Sequence, residues 1–125
     1  MSDKDKEKSR YSDEELAEFD QLIVKKLDQA QGQLDFYIGQ LDDFTDQGET
    51  KVKGLDDGVG TTETERLSLL IGRTRKYITH LQNARHRIKN KVYGVCRETG
   101  KLISKERLKA VPHATLSIEA KQKRK

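Results

Sequence analysis

The chain has 125 residues, 33% of them hydrophobic and 37% charged, with no Trp, one Cys and a formal net charge of +4. That length suits one domain, the composition is too polar for a large spherical core, and it points to a helical protein. The single Cys excludes an internal disulfide framework, and no run approaches the roughly 20 apolar residues of a membrane span, so a cytoplasmic protein without a membrane role is expected.

The charge is unevenly distributed. Residues 1–60 carry 8 Lys/Arg against 16 Asp/Glu, and residues 61–125 carry 17 against 5. Two helices of opposite sign lying side by side would attract, and a molecule with an acidic and a basic end can dock on a large charged partner.

In chain order, residues 1–10 ("MSDKDKEKSR") lack apolar anchors. They read as a disordered tail rather than a signal peptide. A hairpin is expected over 11–91. Ser12 and Glu15 form a capping box, and Asp13, Glu14 and Glu15 suit the positive end of a helix dipole. Ile23, Leu27, Ala30, Leu34, Tyr37, Leu41 and Phe44 then alternate in steps of 4 and 3, which is a coiled-coil seam. A second seam runs through Leu67, Leu70, Thr74, Tyr77, Leu81, Ala84 and Ile88, with Thr62 and Glu65 as its capping box. Paired in reverse order, the two seams give an index sum of 111 every time. A constant sum defines an antiparallel hairpin, and opposite charge on the two helices favours pairing within one chain, so a monomer is expected. The joining stretch, about 45–61, contains Gly48, Gly54, Gly58 and Gly60, which read as helix breakers at the tip of the hairpin.

Residues 92–125 form a different module. "VYGVC" and "KLI" are β-prone runs around "RETG", which predicts a small β-hairpin. Ser104 can cap a short helix, "KERLKA", stopped by Pro112, and a basic helical segment ends the chain. The spacing is that of a zinc site whose four positions are Cys96, Thr99, Ser117 and Ala120. A structural zinc site needs four Cys or His ligands. Here one thiol is left, with His113 the sole nearby substitute, so no metal or other cofactor is expected. Val95, Leu102, Ile103, Leu108, Val111, Leu116 and Ile118 are the expected apolar core, with Thr99 and Ser117 hydrogen-bonding where thiolates would sit.

Tyr93, Gly94, Cys96, Gly100, Ile103, Arg107, Leu108, Pro112 and Ala114 stand in register with the C-terminal signature of the DksA/TraR family of bacterial transcription factors, which the chain resembles. The likeness implies a mainly α fold, a long antiparallel coiled-coil hairpin carrying a zinc-finger-like module, here without metal. It also implies a partner and a task. The partner is bacterial RNA polymerase, bound at its secondary channel, and the hairpin tip approaches the active site to modulate initiation, with no catalysis by the factor itself. The tip residues would be Asp56 and Asp57, adjacent here where the family spaces its acids. The docking base would use Lys101, Lys105, Arg107, Lys109 and Lys121. Some relatives bind the stringent-response alarmone guanosine tetraphosphate, at positions that match His80, Val111 and Lys121.

Two other classes fit the residues. One is a Gre-type transcript-cleavage factor, whose acidic tip holds a magnesium ion for the polymerase. The other is a basic nucleic-acid-binding helical protein using Arg73, Arg75, Lys76, Arg85, Arg87, Lys89 and Lys91, although no aromatic platform accompanies them. A stand-alone enzyme is not expected, because His80, His86 and His113 lack a nucleophile or metal constellation.

Overall fold

In the computed structural model the described residues are 9–51 and 59–123, with side chains described for 9–44 and 62–123. Among the described residues these helices follow in order: α1 (Asp13–Lys51), α2 (Val59–Lys89), α3 (Lys105–Ala110) and α4 (Ile118–Lys123). Among the described residues β structure is limited to one antiparallel bridge, Val95 to Leu102. The fold is therefore mainly α, and the expected β-hairpin is reduced to its smallest form. Cys96 N–H donates to Lys101 O at 2.8 Å and Ile103 N–H to Gly94 O at 2.7 Å, while Gly100 N–H closes the turn on Cys96 O at 2.8 Å.

The helix ends follow local chemistry. Ser12 and Glu15 form the reciprocal box that opens α1: Ser12 N–H donates to Glu15 Oε1 at 3.0 Å and Glu15 N–H to Ser12 Oγ at 3.1 Å. The box expected at Thr62 and Glu65 does not open α2, which starts earlier, at Val59. Thr62 lies inside the helix, where Glu63 and Arg66 pair one turn apart at 2.6 Å. Gly48 and Gly60 also lie within helices rather than breaking them. A helical Gly costs about 1 kcal/mol relative to Ala, which a buried seam readily offsets. At its C-terminus α2 closes through Lys91, held at φ 63°. Val92 N–H reaches Arg87 O at 2.9 Å and Lys91 N–H reaches Ile88 O at 3.0 Å, a Schellman pattern built on a residue other than Gly.

The chain divides into two compact units, one formed by Met1–Leu27 and His80–Lys125, the other by Asp28–Thr79. Among its described residues the second unit consists of segments of α1 and α2. Ala30 and Leu34 of α1 and Leu67, Ile71 and Thr74 of α2 are its buried residues. Thr74 satisfies its hydroxyl within α2 by donating to Leu70 O at 2.7 Å. The seam of α2 turns slightly from its expected line, because Ile71 is buried while Leu70 is half-buried.

The first unit joins the opening of α1, the end of α2 and the C-terminal module. Its core is Tyr11, Leu16, Phe19, Ile23, Leu81, Ala84, Tyr93, Cys96, Ile103, Leu108, Pro112, Ala114 and Ala120. Of the expected module core, Ile103 and Leu108 are buried and Val95, Leu102, Val111 and Leu116 half-buried, whereas Ile118 is 51% exposed. Tyr11, Leu16, Phe19 and Tyr93 supply what those residues do not.

Candidate functional site

Aromatic rings anchor the module to the opening of α1. Tyr11 packs edge-on against Phe19 at 5.5 Å, and Phe19 against Tyr93 at 5.3 Å. The Tyr11 hydroxyl donates to Ile103 O, joining residues 92 apart in sequence. Tyr93 OH donates to Pro112 O at 2.8 Å. These bonds satisfy the polar tips of rings whose bodies are buried, which buried tyrosines require. Gly94 makes this possible. Its φ is +78°, and a Cβ there would stand 2.6 Å from the Tyr11 ring.

Each position of the zinc frame has a different occupation. Cys96 is buried, and its sulfur accepts the Ser117 N–H at 3.4 Å. Thr99 Oγ1 accepts from Lys101 N–H at 3.2 Å and so shapes the turn. Ser117 caps α4, its hydroxyl accepting from Ala120 N–H at 3.1 Å. Ala120 fills the core at 4% exposure. Burial opposes ionisation of Cys96, but hydrogen bonds from the Thr99 hydroxyl and from the Ser117, Thr99 and Glu98 N–H groups outweigh it together and carry its pKa down to about 6. The donor nest that would steady a metal-bound thiolate thus steadies a bare one. These residues do not fit zinc, because one sulfur faces a hydroxyl, a helix-capping serine and a methyl group. Among the described residues no group of three or more His, Cys, Asp or Glu could hold a metal ion.

The expected docking cations divide into two kinds. Lys101, Lys109 and Lys121 are exposed. Lys105 is exposed too, but its ammonium is paired with Glu15 at 2.5 Å. Arg107 also serves the fold: its Nε donates to Leu116 O at 2.9 Å, and its backbone N–H is taken by the Ser104 cap at 3.2 Å. Parallel ion pairs link Lys91 to Asp13 and Arg85 to Asp20, so the acidic start of α1 is matched by the basic half within the first unit. Asp56 and Asp57, the expected tip residues, lie outside the described residues, as do the start of the expected N-terminal tail and the last two residues.

His80 and Lys121, the expected effector positions, both belong to the first unit. His80 is exposed and stacks flat on His113, with centroids 5.4 Å apart and planes 8° apart. Sequence reasoning missed Tyr11, Phe19 and the His80–His113 stack. Leu16 and Phe19 do continue the first seam at helical spacing, but nothing local marks Tyr11 as a long-range anchor.

Two long helices with a small finger-like module, framed by Tyr93, Gly94, Cys96, Ile103, Leu108 and Pro112, define a class of zinc-finger-like helical proteins. The chain belongs to the DksA/TraR family. Residues 91–125 match the prokaryotic dksA/traR C4-type zinc finger. The "RNA polymerase-binding transcription factor DksA" of Caulobacter vibrioides is 43% identical over 51 residues, 41% of this chain and 36% of that relative. "General stress protein 16O" of Bacillus subtilis is 30% identical over 105 residues, 80% of this chain and 64% of that relative. The match thus spans about a third of the first relative's length and under two thirds of the second's. The structure of transcription factor DksA2 from Pseudomonas aeruginosa superposes with a TM-score of 0.77 at 26% identity, over 87% of this chain and 81% of that one.

Proposed function

We propose that this protein is a metal-independent regulator of bacterial transcription that binds RNA polymerase at the secondary channel and modulates initiation. The observation that carries the reading is the retained finger frame around Cys96, folded without its other thiolates and attached to a helical hairpin. Loss of three ligands with preservation of Tyr93, Gly94, Leu108 and Pro112 fits a module kept for docking. Lys101, Lys109 and Lys121 are its docking cations, and Lys105 and Arg107 shape the surface that presents them. Guanosine tetraphosphate is the candidate effector at His80 and Lys121. The protein acts as a cytoplasmic monomer and is not itself an enzyme. Among the described residues no helix is long and apolar enough to cross a membrane.

Asp56 and Asp57 are the proposed effector end. Carboxylates there can perturb magnesium or basic groups at an active site without contributing much affinity. The test is the lifetime of open promoter complexes with purified bacterial polymerase. The parent shortens or lengthens that lifetime, and joint Asp56→Asn and Asp57→Asn replacement abolishes the change while polymerase binding survives. Cleavage of backtracked RNA with no effect on initiation would identify a Gre-type activity and overturn the reading.

A further inference from the structure

The last turns of α2 carry cations that the proposed docking does not use. Gln82, Arg85, His86 and Lys89 recur at offsets of 3, 4 and 7 from the first, so they share one face of the helix over about 10 Å. With Ile88 and, from α1, Asp20, they line an open cleft of about 580 Å³. His80 and Arg87, the residues of α2 that meet His113, fall on a different side of the helix. Arg85 is fixed in place: its Nε donates to Asp20 Oδ1 at 2.8 Å and its Nη2 to Asp20 Oδ2 at 3.2 Å. Those bonds occupy the acid of the lining and leave the guanidinium further N–H groups to donate. The side chains of Gln82, His86 and Lys89 are exposed and bond to no other described residue. Arg85 and Lys89 against Asp20 leave the lining net positive.

We propose that this cleft binds the phosphate group of a small molecule, at a site separate from the effector positions His80 and Lys121. The planar fork of a guanidinium matches phosphate oxygens, an ammonium one turn away adds a point charge, and an imidazole and a carboxamide add N–H donors. Because Asp20 already orders Arg85, less conformational freedom is lost when an anion arrives. A volume of about 580 Å³ lies within the roughly 300 to 1,000 Å³ of small-molecule clefts, so there is room for the group that carries the phosphate. Ile88 and the aliphatic stems of Arg85 and Lys89 give that group an apolar wall. Among the described residues that line the cleft there is no Phe, Tyr or Trp, so a base finds no stacking platform and a sugar-type ester fits better than a nucleotide.

Amide chemical shifts of the intact protein, without polymerase, test this. The probes are inorganic phosphate and glucose 6-phosphate, titrated at low and constant ionic strength so that screening does not change. Both should give saturable shifts at Asp20, Gln82, His86 and Lys89, while Ile103 and Ala120 in the core of the module stay silent. Lys89→Gln should weaken binding about five-fold, the worth of one net hydrogen bond. Lys76→Gln removes the same charge from an exposed position of α2 outside the cleft and should leave binding unchanged. Tighter binding of glucose 6-phosphate assigns the site to an ester, and equal binding of the two probes assigns it to the free ion. No saturable shift with either probe would overturn the proposal. So would equal weakening by Lys89→Gln and Lys76→Gln, which would mean that the anions follow the overall charge of the helix and not the cleft.

Discussion

Gly94 shows how one residue can set the entry of a distant segment. Its positive φ and the 2.6 Å that would separate a Cβ from the Tyr11 ring leave room for hydrogen alone. Gly94→Ala should therefore destabilise by about 2 kcal/mol or more, since strain and a displaced ring add, and chemical denaturation measures it. Tyr11→Phe is milder: it leaves the ring in place and the Ile103 carbonyl without its partner, at about 1 to 2 kcal/mol. Cys96 gives a pH signature. Its thiol ionises near 6 in the fold against an ordinary 9.0. A depressed acid contributes stability that is present above the unfolded value and is lost as pH falls toward the folded one. The parent should lose stability as pH drops from 9 toward 6, and Cys96→Ala should show a flatter profile over that window, read by thermal melting at a series of pH values. A parallel decline in both would mean that the donors around the sulfur do not act on its charge.

At the scale of elements, the hairpin rests on its seam. Leu34 is 8% exposed and Phe36, two residues on, is 62% exposed. Leu34→Ala should cost about 2 to 4 kcal/mol, while Phe36→Ala should stay within about 0.5 kcal/mol, a contrast that denaturation midpoints resolve. Much of this was legible in the sequence, because burial on one face of a helix imposes a period and capping needs particular side chains at fixed offsets. Ile23, Leu81 and Ala84 were legible as core, and so were the Ser12–Glu15 box and the Ser104 cap. Gly48 and Gly60 misled because a local propensity of about 1 kcal/mol yields to a cooperative helix. The box at Thr62 misled in the same way, since a capping pattern is equally compatible with the interior of a helix that begins earlier. The module was legible in frame and not in packing. Tyr11 contacts residues some 90 positions away, and a contact at that separation leaves no local periodic trace. Cys96, Thr99, Ser117 and Ala120 could be read as a lost metal site, but the separate duty each has taken up depends on atoms brought together by the fold.

For the whole molecule, the acidic first half and basic second half meet as exposed ion pairs in the first unit, Asp13 with Lys91, Glu15 with Lys105 and Asp20 with Arg85. Such pairs are screened and add little stability, so salt should barely move the melting transition while it weakens docking on a charged partner. Metal should be dispensable too. Elemental analysis should find well under one zinc per chain, and a chelator should leave the melting transition unmoved, whereas a fold that closes on zinc would collapse. The proposed docking of this module on bacterial RNA polymerase needs no metal, and co-elution with purified polymerase core on gel filtration in the presence of a chelator is its test. A stable complex should form, weaken as salt rises and be lost when Lys109 and Lys121 are both changed to Glu. Free elution of the folded parent at low salt would contradict it.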